Sequence, residues 1–123
     1  MNRQYIEVLR DYLEACEVVV QFEKNVVCAF WGSEQEPLIT IDTKVKGDKR
    51  LYVLLHEAGH YLNSLEHKNL DWFREEQVAW EKGIELAKNL NIPVDEGRYW
   101  KYAGYNLKLY LKEYMNVKCQ HAH

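Results

Sequence analysis

Cysteine is scarce and odd in number: Cys16, Cys28 and Cys119 form no CxxC pair and no disulfide-scaffold spacing. Free thiols in a reducing cytoplasm are the expected state. Proline occurs twice and glycine six times in 123 residues, too rarely for a collagenous or linker-rich chain. No apolar run approaches the ~20 residues that span a bilayer. The N-terminal stretch MNRQYIEVLRDYLEACEVVV starts basic, then alternates charged and apolar residues. It lacks the continuous apolar core and small-residue cleavage site of a signal peptide. An excess of charge of one sign is missing too. Sixteen Lys+Arg against 19 Asp+Glu leave a net charge of −3, so no broad nucleic-acid surface is expected, and no membrane partner.

What is present is an ordinary globular mixture, 47% hydrophobic and 28% charged, of a length suited to one domain over residues 1–123. Aromatics are plentiful, with nine Tyr, four Trp and three Phe. Such rings supply packing area, and Tyr and Trp add polar handles.

Periodicity divides the chain. From Arg3 to about Cys16, Ile6, Leu9, Leu13 and Cys16 share one side of an amphipathic helix. EVVVQFEKNVVCAFW then offers two β-branched and aromatic runs around Glu23, Lys24 and Asn25, which read as a hairpin. Leu38-Ile39-Thr40-Ile41-Asp42 forms a third strand. Lys49 to about Leu65 is a helix apolar enough to be buried on more than one side. Another helix follows an N-cap at Asp71 and runs to Leu90, where Asn91, Ile92 and Pro93 interrupt it. A Tyr-rich helix covers Glu96 to Met115. The expectation is an α+β fold: an N-terminal helix, a small three-stranded, mainly antiparallel sheet, then three helices.

The chemistry is concentrated in His56-Glu57-Ala58-Gly59-His60, an HExxH sequence. Four residues advance a helix about 400°, so both imidazoles stand on one face, one turn apart. At that spacing they can reach one zinc ion at Zn–N distances of about 2.0–2.1 Å. Glu57 would act as general base toward a zinc-activated water and then pass the proton to the leaving amine. With five His and fourteen Glu, chance yields this motif in about one chain in fifty of this composition. Gly59 costs about 1 kcal/mol in a helix relative to Ala, which points to close packing near the metal, under the sheet. Two satisfied core histidines are the bland alternative.

A catalytic zinc takes three protein ligands and leaves a position open. The metzincin pattern HExxHxxGxxH fails, because Asn63 stands at its Gly place, Glu66 at its last His place and His67 one residue late. His67 reads as a solvent-facing loop residue. The third ligand is expected from REEQVAWEKG, in a helix folding back on the first. Glu76 is the first choice, because Glu76, Ala79, Gly83 and Ala87 form a stripe of small residues that permits close approach. Glu75, about 100° away, is the second choice, and an ordinary exposed pair is the alternative to both. Glu81 or Asp71 can accept the other imidazole N–H, and each reads equally well as a surface or cap residue.

HEAGH, a short polar interval, then EEQVAW resembles the gluzincin class of zinc metallopeptidases, and more narrowly the ImmA/IrrE group of bacteria, phages and mobile elements. The resemblance implies His56, His60 and Glu76 as zinc ligands, with Ala79 at the family offset from Glu76, and Glu57 as the base. It also implies a sheet before the active helix and a protein substrate, helix-turn-helix repressor-like regulators being the family precedent. It covers residues 15 to 90. Trp80 stands where the family has Asn, Gly83 departs beyond it, and the leucine-methionine-proline stretch is missing.

Oxyanion stabilisation beyond the metal would come from Tyr99, Tyr102 or Tyr105, with packing as the competing role of each. Tyr61 is expected in the core. LITID can be an edge strand that pairs with an extended substrate, or simply completes the sheet. Cys119, His121 and His123 form a terminal tail that can capture stray metal. Three functions fit the residues: a zinc metalloendopeptidase, a zinc-binding but catalytically silent regulatory protein, and a structural helical adaptor. Oligomeric state is not legible.

Overall fold

The computed structural model describes residues 2–32, 36–66 and 70–121. Its elements run α1 (Asn2–Ala15), β1 (Val19–Glu23), β2 (Ala29–Trp31), β3 (Leu38–Asp42), α2 (Asp48–Leu65), α3 (Trp72–Asn89) and α4 (Glu96–His121). The expected order of elements is the observed one. Helix α1 buries Leu9 and Leu13 completely. It ends where Glu17 adopts φ 64° and the Val18 N–H reaches back to the Leu13 carbonyl at 2.9 Å. That pattern closes a helix with a left-handed residue and satisfies a terminal carbonyl. Helix α3 ends the same way, with Asn91 at φ 57° and Ile92 N–H bonded to Ala87 O at 2.8 Å.

The sheet corrects one expectation. Its order is β1-β3-β2, with β1 parallel and β2 antiparallel to β3. The two runs expected as a hairpin are therefore not neighbours, and the sheet is mixed rather than mainly antiparallel. β3 takes the centre because it has most to bury: Ile39 and Ile41 are fully enclosed on one face and Thr40 is buried on the other. Thr40 also secures β2, since its hydroxyl donates to Val27 O at 2.6 Å and accepts from Trp31 Nε1 at 2.9 Å. LITID is thus not an edge strand; β2 is.

Helix α2 starts after Gly47, whose φ of 65° favours glycine. It then runs through the core, with every residue from Leu51 to Gly59 buried. Asp71 caps α3 as expected, accepting from Arg74 N at 2.8 Å. Helices α2 and α3 are antiparallel and almost touch at the backbone. A Cβ on Gly59 would lie 1.9 Å from Ala79 O, and one on Gly83 would lie 2.6 Å from Leu55 O. The stripe Glu76, Ala79, Gly83, Ala87 faces α2, all four buried. Gly59 therefore serves contact with α3, not with the sheet. Helix α4 packs Tyr99 and Ala103 into the core and extends beyond the expected Met115.

Candidate metal centre

Because α2 and α3 approach so closely, one turn of each suffices to bring three donors together. His56 Nε2 lies 2.8 Å from Glu76 Oε2, His60 Nε2 lies 3.2 Å from the same oxygen, and the two Nε2 atoms are 3.2 Å apart. At metal–ligand distances of about 2.0–2.1 Å, the edges of a tetrahedral site measure about 3.3 Å. The three donors form a triangle of nearly that size. The donor atoms of His56, Glu57 and His60 also lie within 4.8 Å of one another, so the general-base candidate adjoins the triangle. This is a buried His-Glu-x-x-His cluster consistent with a gluzincin-like zinc site.

Glu75 does something different from Glu76. Its Oε1 is 3.1 Å from His60 Nδ1, on the opposite side of the ring from the triangle. Its Oε2 accepts from the Asn63 side-chain amide. A carboxylate there fixes the tautomer and orientation of the imidazole and raises its basicity. Glu81 and Asp71, the expected holders of an imidazole N–H, are engaged elsewhere: Glu81 with Arg74 at 3.7 Å and Asp71 with the α3 cap. Asn63 was readable only as the residue that breaks the metzincin pattern. Its place on the inward face of α2, one turn after His60, is the signal that it needs a buried polar partner.

His56 is held by stacking. Its ring lies 4.0 Å from that of Trp80, at 23°. Among the described residues its Nδ1 meets no hydrogen-bond partner. Trp80 thus backs the His56 ring directly, and its own carbonyl accepts from the Tyr99 hydroxyl at 2.5 Å.

Electrostatics follow from burial and from three carboxyls in a small space. Burial pushes Glu57 up to about 8, Glu76 adds to this, and His60 with the Phe30 backbone N–H pulls it back. Burial also lowers His56, more than the Glu76 bond restores it. Burial alone would depress His60, but Glu76, Glu57 and Glu75 outweigh it and raise the ring to about 9. Glu76 resists burial through its bonds to both histidines and falls to about 2. One proton on His60 therefore supplies the positive charge that the cluster demands. A cation among these donors would answer the same demand and return Glu57 toward its ionised form.

The expected tyrosines fall into different places. Tyr99 is fully buried and donates to Trp80 O. Tyr102 packs on Tyr52 and Trp80, with centroids at 6.1 and 5.9 Å, and its backbone carbonyl accepts from Asn106 Nδ2 at 2.8 Å. Tyr105 is 64% exposed and lines a surface hollow with Lys49, Arg98 and Lys101. None of the three lines the cleft that holds His60, Glu75 and Glu76; Tyr110 does. Tyr99, Ala103, Asn106 and Tyr110 recur at 4, 3 and 4 residues along one helical face, the signal that could have found it. Tyr61 is buried and meets Phe30 edge-on, as expected of a core residue. His67, the tail residue His123 and the side chains of Cys119 and His121 lie outside the description.

The cleft measures about 360 Å³, walled by β2 (Ala29 and Phe30) and the preceding Val27 and Cys28 on one side and by α2 and α3 on the other. A second cavity of about 210 Å³ lies behind it, between His56, Trp80 and Tyr102; Cys28, Glu57 and Tyr110 border both. A larger hollow, about 710 Å³, lies by Arg3, Arg10, Phe22 and Arg50, away from the histidines. No helix among the described residues is long and apolar enough to cross a membrane. The chain matches no protein-family model, and it has no significant similarity to a curated protein or a solved structure.

Proposed function

We propose that this protein is a zinc-dependent metalloendopeptidase of gluzincin type, most like the ImmA/IrrE group. The observation that carries the reading is the triangle of His56 Nε2, His60 Nε2 and Glu76 Oε2, with sides of 2.8, 3.2 and 3.2 Å. Those three residues would hold the metal, and the chemistry of the set, two neutral imidazoles and one carboxylate, is that of catalytic zinc. When bound, zinc polarises a peptide carbonyl and makes water a nucleophile near neutral pH.

The remaining work belongs to the chain's own residues. Glu57 takes the proton of the attacking water and delivers it to the departing amine. Glu75 and Asn63 hold the His60 ring, and Trp80 holds that of His56. β2, at the sheet edge beside the cleft, offers backbone groups to which an extended peptide can add as a strand. Proximity then supplies much of the rate, because substrate, base and ligands are all fixed by packed elements. The substrate proposed is an extended segment of a protein, with repressor-like regulators as the precedent, and the proposed setting is a reducing cytoplasm.

The test compares parent, Glu57→Gln and Glu76→Ala after zinc loading, reading metal content and cleavage of a peptide library by mass spectrometry. E57Q should keep zinc and lose cleavage; E76A should lose zinc. Equal zinc in parent and E76A overturns the ligand set. Stoichiometric zinc without cleavage of the library or of repressor-type proteins favours the silent regulator instead.

A further inference from the structure

We propose that Tyr110 is a catalytic residue: its hydroxyl donates a hydrogen bond to the substrate carbonyl oxygen as negative charge develops there. The inference rests on the peptidase reading above. It starts from position. Among the described residues Tyr110 is the one tyrosine on the wall of the cleft that contains Glu57, His60 and Glu76, and it also borders the inner cavity beside His56. Its ring is fixed edge-on against Trp72 at the start of α3, with centroids 5.3 Å apart and planes at 77°. Trp72 is close in sequence to Glu75 and Glu76, so the same helical turn anchors the phenol and supplies the carboxylates.

Availability separates Tyr110 from its neighbours. Tyr99 spends its hydroxyl on Trp80 O, and Tyr102 lines the inner cavity beside Trp80 and not the cleft. Among the described residues the Tyr110 hydroxyl has no hydrogen-bond partner, and it borders open space. A phenol, with an ordinary pKa of about 10, keeps its proton at neutral pH, which is the state a donor needs.

The step balances without another reactant. Water oxygen bonds the carbonyl carbon, its proton goes to Glu57, and the C=O π pair moves onto the carbonyl oxygen, where Tyr110 donates. Collapse of that adduct re-forms C=O, breaks the C–N bond and gives the amine the proton held by Glu57. Donors of this kind, fixed in advance where charge will appear, contribute most in a site from which water is largely excluded.

The test uses zinc-loaded parent, Tyr110→Phe and Tyr102→Phe. Zinc affinity is read by chelator competition, and affinity for N-phosphoryl-leucyl-tryptophan, a tetrahedral anionic mimic, by calorimetry. Phe keeps the ring and its contact with Trp72. Y110F should hold zinc as the parent does and bind the mimic on the order of tenfold or more weakly. On a cleaved peptide it should lose about 10²–10³-fold in kcat with little change in KM. Y102F should match the parent in mimic binding. Parent-like mimic binding by Y110F overturns the assignment and leaves the peptidase reading standing. Loss of zinc by Y110F also overturns it, making the phenol a ligand or a structural prop. Failure of the parent itself to bind zinc or the mimic overturns the peptidase reading, and this assignment with it.

Discussion

Glu75 grips His60 from behind: Oε1 stands 3.1 Å from Nδ1, while Nε2 of the same ring faces Glu76 at 3.2 Å. Adjacent glutamates thus take opposite sides of one imidazole. Changing the rear carboxylate should weaken the metal without removing a ligand. Glu75→Gln is expected to lower zinc affinity about 10–100-fold, less than E76A does. Chelator competition on both variants measures the order, and an E75Q loss equal to that of E76A would make Glu75 a ligand.

Backbone contact between α2 and α3 leaves no room for a methyl group. Gly59→Ala would set a Cβ 1.9 Å from Ala79 O, against rigid backbone. The variant should lose at least ~1–3 kcal/mol by overpacking and lose zinc, since His60 is the next residue. Gly104, in α4, has nothing within 4 Å of its Cβ position, so Gly104→Ala should gain roughly 0.5–1 kcal/mol. Urea denaturation of the two variants checks both signs.

Stability without metal should depend on pH through four groups. His60 rises from 6.5 to about 9, so its stabilisation is complete below 6.5 and lost as pH climbs through 9. Glu57 rises from 4.5 to about 8, and the protonated form favoured by the fold is lost over that interval. Glu76 falls from 4.5 to about 2, so its contribution is present above 4.5 and disappears toward 2. His56, held below 6.5 by burial, contributes above 6.5 and loses that contribution as pH falls, so the four together favour the metal-free fold most between about 4.5 and 6.5 and progressively less toward 9. Zinc replaces the His60 proton, so the gap in melting temperature between loaded and metal-free protein should widen from pH 6 to 9. Thermal melts across that range test it; a constant gap would mean that zinc displaces no proton here.

Thr40 joins the central strand to the edge strand through its two hydroxyl bonds. Thr40→Val should leave Trp31 Nε1 and Val27 O without that partner and cost roughly 1–3 kcal/mol. Because Phe30 of the same edge strand contacts Glu57 through its backbone N–H, cleavage should fall more than zinc affinity does. Parallel measurement of kcat and of zinc affinity separates the two effects.

Helices and ligand spacing were legible because each depends on a local period. The inward stripe of α3 even separated Glu76 from Glu75, since small residues mark the side of close approach. Strand order was not legible. Pairing is decided by which strand buries the most surface, and the runs around Val20 and Phe30 carry no mark of their partner. Tyr110 was missed for a related reason: which of several tyrosines meets the cleft depends on how α4 crosses α3. The roles of Asn63 and Trp80 were hidden by comparison with family patterns, which registered them as departures rather than as contacts.

Trp80 has one more consequence. Of the four tryptophans it alone is buried, at 2% exposure, while Trp31, Trp72 and Trp100 are 52%, 42% and 39% exposed. It is also the one stacked on His56. The molecule therefore carries a built-in optical reporter, with a blue-shifted emitter in van der Waals contact with one arm of the cluster. Any event that changes the charge on that imidazole alters the light from a single indole, so occupancy can be followed before any substrate is known.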